Sequence, residues 1–132
     1  MKRILILAIL MIATGSLFAQ KTAKLKIVYF HAEHRCPTCL SIEENTLKTL
    51  NTYFSKQFKS GEITFVSLDV SEEKNEQMVE KYEADGSSLF LTKVTGKKEK
   101  TTDFTNFAFS YSRNKPEKFI AGLKAEIEKN LK

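Results

Sequence analysis

The sequence predicts an α/β fold of three layers, a mixed central sheet of about four strands with helices on both faces. Three observations lead there. An apolar strand pattern at Leu25–His31 gives way at once to a long helical pattern. A second apolar strand follows, and two strands joined by a long crossover helix form a parallel pair. Two further strands then share a tight turn, which implies an antiparallel hairpin, and an amphipathic helix closes the chain.

The 132 residues suffice for one domain. A hydrophobic share of 42 %, with ten Phe, supports a packed core and excludes a disordered chain. The net charge of +5 is not clustered: Lys97, Lys98 and Lys100 accompany Glu99, and the C-terminal lysines alternate with Glu126 and Glu128. That pattern describes a solvated surface, so no nucleic-acid partner and no membrane patch are expected.

The chain begins with an address. Lys2 and Arg3 precede an apolar run from Ile4 to Phe18, and Ala19-Gln20 offers a small residue at the cleavage point. Residues 1–19 are therefore read as a secretory signal peptide and 20–132 as the mature domain, periplasmic or secreted. Leu17 is larger than a cleavage site prefers, and an uncleaved anchor is the other reading. The run is shorter than the ~20 residues of a spanning helix. Cleavage after Ala19 leaves 19 basic and 16 acidic residues.

The mature elements follow in order. Leu25–His31 is nearly continuous in apolar character from Ile27 to Phe30, as in a strand buried on both faces. The spacing predicts a helix from Pro37 to about Phe58. Leu40, Leu47, Leu50, Phe54 and Phe58 lie near one face, and Pro37 stands at the first helical position. Ser60-Gly61 ends it. Ile63–Val70 is the second strand. Asp69 at its end reads as a turn residue rather than a catalytic acid. Ser71 is expected to cap the next helix, with Glu72 and Glu73 in its first turn and Met78, Val79 and Tyr82 on its apolar face. Leu89–Val94 is the third strand, Thr95-Gly96-Lys97 the hairpin turn, and Lys98–Asp103 a charged edge strand. Residues 104–113 fit either period and are read as a short helix. Pro116 opens the last helix, with Phe119, Leu123, Ile127 and Leu131 as its stripe. Phe54, Phe58, Phe65, Phe90 and Phe119 are expected in the core.

The chemistry is expected at Cys36-Pro37-Thr38-Cys39, the only cysteines, at the strand-to-helix junction. Two thiols three residues apart in a first helical turn can close a small disulfide, and the helix's free N–H groups and positive dipole end stabilise a thiolate. Arg35 beside Cys36 and His34 nearby add to that. An exported chain permits a disulfide, and a bond closing so small a loop makes a weak structural staple.

This order of elements resembles the thioredoxin fold without its first strand and helix. Tyr29-Phe30-His31 followed by Arg35-Cys36-Pro37-Thr38-Cys39 resembles a group of small exported bacterial thioredoxin-like proteins, some of which carry the name nitrophenyl-compound nitroreductase subunit. The resemblance implies a thiol-disulfide oxidoreductase with a redox-active disulfide: Cys36 the exposed nucleophile, Cys39 the resolving thiol. It implies as partners a protein or small-molecule disulfide or thiol, and a membrane or periplasmic protein that recycles the pair. A monomer is expected, without cofactor, since no glycine-rich phosphate loop is present. The chain departs from the pattern in three places, one of them His31, which stands where an aromatic residue usually follows in the strand. The acidic residue usually buried beneath the second cysteine is replaced by Tyr29 or Phe30. The usual cis-proline before the third strand is replaced by Ser87-Ser88, which become candidate substrate-groove residues.

Two other readings compete. His31, His34, Cys36 and Cys39 spell H-x-x-H-x-C-x-x-C, two imidazoles and two thiolates that can hold zinc or copper for binding or delivery. The other is a redox-inactive binding module on the same fold.

Overall fold

A computed structural model describes residues 22–132; the signal-peptide reading of residues 1–19 lies outside them. Four strands form one sheet in the order β2-β1-β3-β4: β1 Leu25–His31, β2 Ile63–Asp69, β3 Ser88–Thr95 and β4 Lys98–Asp103. β1 runs parallel to β2, with His31 opposite Asp69, and antiparallel to β3, with Phe30 opposite Ser88. β3 and β4 form the antiparallel hairpin, turned at Gly96, whose φ of 62° is the left-handed conformation glycine adopts without strain. The order and layering fit the thioredoxin-like arrangement.

Both faces of the sheet are covered, because β1 supplies apolar side chains to each. Leu25, Ile27 and Tyr29 point to one face, where they meet α1 (Pro37–Tyr53), α4 (Thr105–Tyr111) and α5 (Pro116–Leu131) through Ile42, Leu50, Ala108, Phe119, Leu123 and Ile127. Val28 and Phe30 point to the other and pack with Phe90 and with Met78, Val79 and Tyr82 of α3 (Glu76–Tyr82). Each fully buried Leu, Ile or Phe contributes roughly 1.5–3 kcal/mol, so the larger cluster, which carries α1, dominates.

Three local expectations are corrected. The long helix is not continuous to Phe58. Phe54 turns out of the helical range (φ −131°, ψ 24°) to bury its ring, and a short α2, Ser55–Lys59, follows. The buried face of α1 is Cys39, Ile42, Thr46, Thr49 and Leu50; Leu40, placed in the stripe from sequence, is 50 % exposed. Ser71 does not cap a helix. Its N–H and hydroxyl both donate to Asp69 Oδ1, at 2.8 and 2.7 Å, and this local turn delays the helix. A 3-10 turn at Glu73–Asn75 intervenes before α3. Residues 105–111 are helical as expected, and Phe107 of that helix lies against Gly122 of α5.

Candidate functional site

The sheet register brings the site together. β1 and β3 are antiparallel, so the chain enters β3 at the same sheet end where it leaves β1. The loop after His31 and the residues before Ser88 therefore face each other. Cys36 and Cys39 arrive on the first, Ser87 on the second.

Cys36 is the N-cap of α1. Its backbone is extended (φ −72°, ψ 160°), and its Sγ accepts the Cys39 N–H at 3.1 Å. Pro37 follows at the first helical position, where its missing N–H costs nothing, and the Leu40 N–H closes the first turn on the Cys36 carbonyl at 3.0 Å. A cap atom accepting a helix N–H does so best when it carries negative charge. Cys36 is exposed and Cys39 is 6 % exposed; both are free thiols.

Behind Cys39 the polar partners converge. Ser87 Oγ lies 3.7 Å from Cys39 Sγ. The Tyr29 hydroxyl, on a ring with no exposure, donates to the Cys39 carbonyl at 3.0 Å and also neighbours its thiol. Burial pushes the Cys39 thiol up, but hydrogen bonds with Cys36, Ser87 and Tyr29 outweigh it and hold the thiol below its ordinary value. Exposure makes Cys36 the sulfur an outside molecule meets. Tyr29 itself is pushed far above the usual phenol range, by burial first and then by Cys39, with Arg35 only partly offsetting them.

The other predicted residues fall as follows. Arg35 is half-buried. Its guanidinium pairs with Glu43 on α1 and stands 5.7 Å from the Tyr29 ring centroid. Its charge is thus directed to Glu43 and to the floor of the site. Thr38 is half-buried, and its carbonyl accepts the Ser41 hydroxyl at 2.8 Å; Ser41 continues to Ser112 of the α4 end at 3.0 Å. Ser112 also takes the Asn45 amide on its carbonyl at 2.9 Å, so α4 braces the first half of α1. Ser88 turns away and donates to the Gly86 carbonyl at 3.0 Å, leaving Ser87 as the groove residue that reaches the cysteines.

His34 is exposed on the loop, and His31 ends β1 with Nδ1 2.9 Å from the Ala32 carbonyl. Among the described residues no three His, Cys, Asp or Glu side chains gather as a metal centre would require. Asp69 serves its turn, its carboxyl held below the usual range by the Ser71 hydrogen bonds. The residues that sequence reasoning missed are Glu43 and the hydroxyl of Tyr29. The strand's alternation carried a signal for the second: Tyr29 shares a face with Leu25 and Ile27, the face α1 covers.

The fold and site thus define an α/β domain with an exposed helix-capping cysteine and a buried second cysteine one turn on. No family model matches the chain, and no curated protein matches it. Among solved structures it is similar to one titled "Structure of a malarial protein", with 18 % identity and a TM-score of 0.41, covering 71 % of this chain and 99 % of that one.

Proposed function

We propose that this protein is an exported thioredoxin-like thiol-disulfide oxidoreductase working through Cys36 and Cys39. The observation that carries the reading is the asymmetry of the pair. One sulfur is exposed at a helix N-cap and accepts a backbone N–H; the other is buried one turn behind it among hydroxyl donors. Nucleophilic attack needs an accessible thiolate, and release of the partner needs a second thiol within reach but shielded from competing substrates.

The Cys36 thiolate attacks a substrate disulfide, forming a Cys36–substrate disulfide and expelling one substrate thiolate. The Cys39 thiolate then attacks Cys36 Sγ. The Cys36–Cys39 bond forms, the second substrate thiolate leaves, and both leaving thiolates take protons from solvent. The protein loses two electrons and the substrate disulfide gains them. The reverse sequence oxidises a substrate dithiol. The exported location, and a membrane or periplasmic protein that resets the pair, belong to this proposal.

The test is a trap. Cys39→Ser, exposed to a model disulfide such as oxidised glutathione, should accumulate one mixed disulfide at Cys36, identified by peptide mass. Cys36→Ser should form far less adduct, since the remaining thiol is buried. Equal labelling of both single variants, or none in either, overturns the assignment.

A further inference from the structure

We propose that the Tyr29 hydroxyl is the donor that stabilises the Cys39 thiolate during the second exchange step, doing so as a neutral hydrogen-bond donor and not as a proton acceptor. This deepens the dithiol reading and rests on it.

The phenol has one proton, and it sits at the Cys39 residue. In the resting dithiol the proton points to the Cys39 carbonyl at 3.0 Å. That carbonyl is already inside the helical hydrogen-bond ladder of α1, so the contact is additional to what the helix needs. The Cys39 thiol lies beside the same hydroxyl. A phenolic proton rotates to suit its surroundings, and a thiolate is a stronger acceptor than a carbonyl that already has a partner. Formation of the Cys39 thiolate therefore draws the proton toward sulfur.

The surroundings keep this phenol protonated. The ring is buried, and a phenolate beside a thiolate would place two negative charges together. The groups that face the pair are Cys36 and Ser87, Arg35 held by Glu43, and His31, whose ring centroid is 6.0 Å from that of Tyr29. Arg35 is the fixed positive charge among them; it is paired with Glu43 and acts on the Tyr29 phenol. Tyr29 cannot accept the Cys39 proton as a carboxylate would. That proton goes to solvent before attack, and Tyr29 steadies the anion left behind.

The exchange step balances as given above: Cys39 Sγ bonds to Cys36 Sγ, the Cys36–substrate bond breaks, and the substrate sulfur leaves with the electron pair. Tyr29 lowers the cost of reaching the attacking thiolate. A hydrogen bond to a charged group is worth about tenfold to hundredfold in that ionisation. The thiolate of higher pKa is also the better nucleophile, which returns up to about half of the loss on a logarithmic scale. Removing the hydroxyl should therefore slow resolution by about threefold or more below the pH midpoint and move the midpoint upward by about one unit or more.

The experiment uses the full chain and 5,5′-dithiobis(2-nitrobenzoic acid). This probe releases one coloured thiolate when Cys36 attacks and a second when Cys39 resolves. Tyr29→Phe keeps the ring and the Arg35–Glu43 pair. Its first release should stay within about twofold of wild type, and its second should show the slowing and the raised midpoint. A second-phase pH profile that does not move overturns the proposal. Should Tyr29→Phe fail to fold, 3-fluorotyrosine placed at position 29 serves in its place. Its more acidic hydroxyl is a stronger donor and must move the second midpoint downward; an unmoved or raised midpoint overturns the proposal. A wild-type protein with no second release refutes the dithiol reading itself, a different outcome from an unmoved profile in the variant.

Discussion

Gly122→Ala tests the packing that holds the site in place. Gly122 faces the Phe107 ring across the α4–α5 contact. A methyl at position 122 would stand 2.6 Å from Phe107 Cε1 and closer still to Cζ. Ordinary carbon–carbon contact begins near ~3.5 Å, so the ring must give way. It has little room: Phe107 stacks on Phe104 with centroids 4.7 Å apart and meets Tyr111 edge-on at 4.8 Å. Overpacking of this kind costs about 1–3 kcal/mol. Ala recovers about 0.5–1 kcal/mol of helix preference over Gly. The net expectation is a loss of about 0.5–2 kcal/mol, a fall in melting temperature of several degrees for a domain of this size. Urea unfolding should show a lower midpoint at unchanged slope. The loss should also reach the site, because Ser112 at the end of α4 braces Ser41 and Asn45 on α1. Alkylation of the buried Cys39 should quicken while that of Cys36 stays the same. A Gly122→Ala protein as stable as wild type or more so would mean that Phe107 does not pin α4 to α5, and the bracing argument would fail with it.

Two further predictions concern single residues elsewhere. Glu99 bridges Lys26 and Lys81 at 2.6 and 2.7 Å, and the two cations lower its carboxyl to about 2. A carboxyl whose pKa is depressed on folding stabilises the fold above its unfolded value near 4.3 and stops doing so as pH falls through 2. Discounted for screening at this exposed position, Glu99→Gln should cost about 0.5–1 kcal/mol at pH 7 and nothing at pH 2; chemical denaturation across pH checks this, and a pH-independent difference would contradict it. Glu83 ends α3 in the left-handed conformation at φ 50°. Relief of about 1–2 kcal/mol of strain against about 0.5–1 kcal/mol of added chain entropy makes Glu83→Gly stabilising by roughly 0.5–1 kcal/mol; a lower melting temperature would refute that reasoning.

Much of this architecture is legible in the sequence because β1 is unambiguous. Its unbroken run from Ile27 to Phe30 reflects burial on both faces, and that places it inside the sheet. From there the crossover helix and the hairpin follow in order, while Ser87 opposite the cysteines is legible only through the resemblance to the thioredoxin pattern. The face of α1 is less legible. Thr46 and Thr49 are fully buried, while Leu40 is half-exposed beside the cysteines. A stripe drawn through the leucines alone is therefore rotated from the true one. Asp69 reads as a turn residue from sequence, but Ser71 could not be assigned to that turn rather than to a cap by residue type, since the same side chain serves both. At the site, the two cysteines announce themselves, but the hydroxyl of Tyr29 is hidden in an aromatic strand that reads as core. The Arg35–Glu43 pair spans a loop and two helical turns, a spacing that no periodic template contains.

The measurement closest to the central claim is a redox titration of the purified chain in glutathione buffers of stepped ratio, read by intact mass after acid quenching. Exchange through Cys36 and Cys39 predicts one reversible two-electron transition. The oxidised form should be lighter by two hydrogens, with a disulfide joining residues 36 and 39 and both forms folded. Cysteines that stay reduced across the range, or that are oxidised only as separate glutathione adducts, would contradict it.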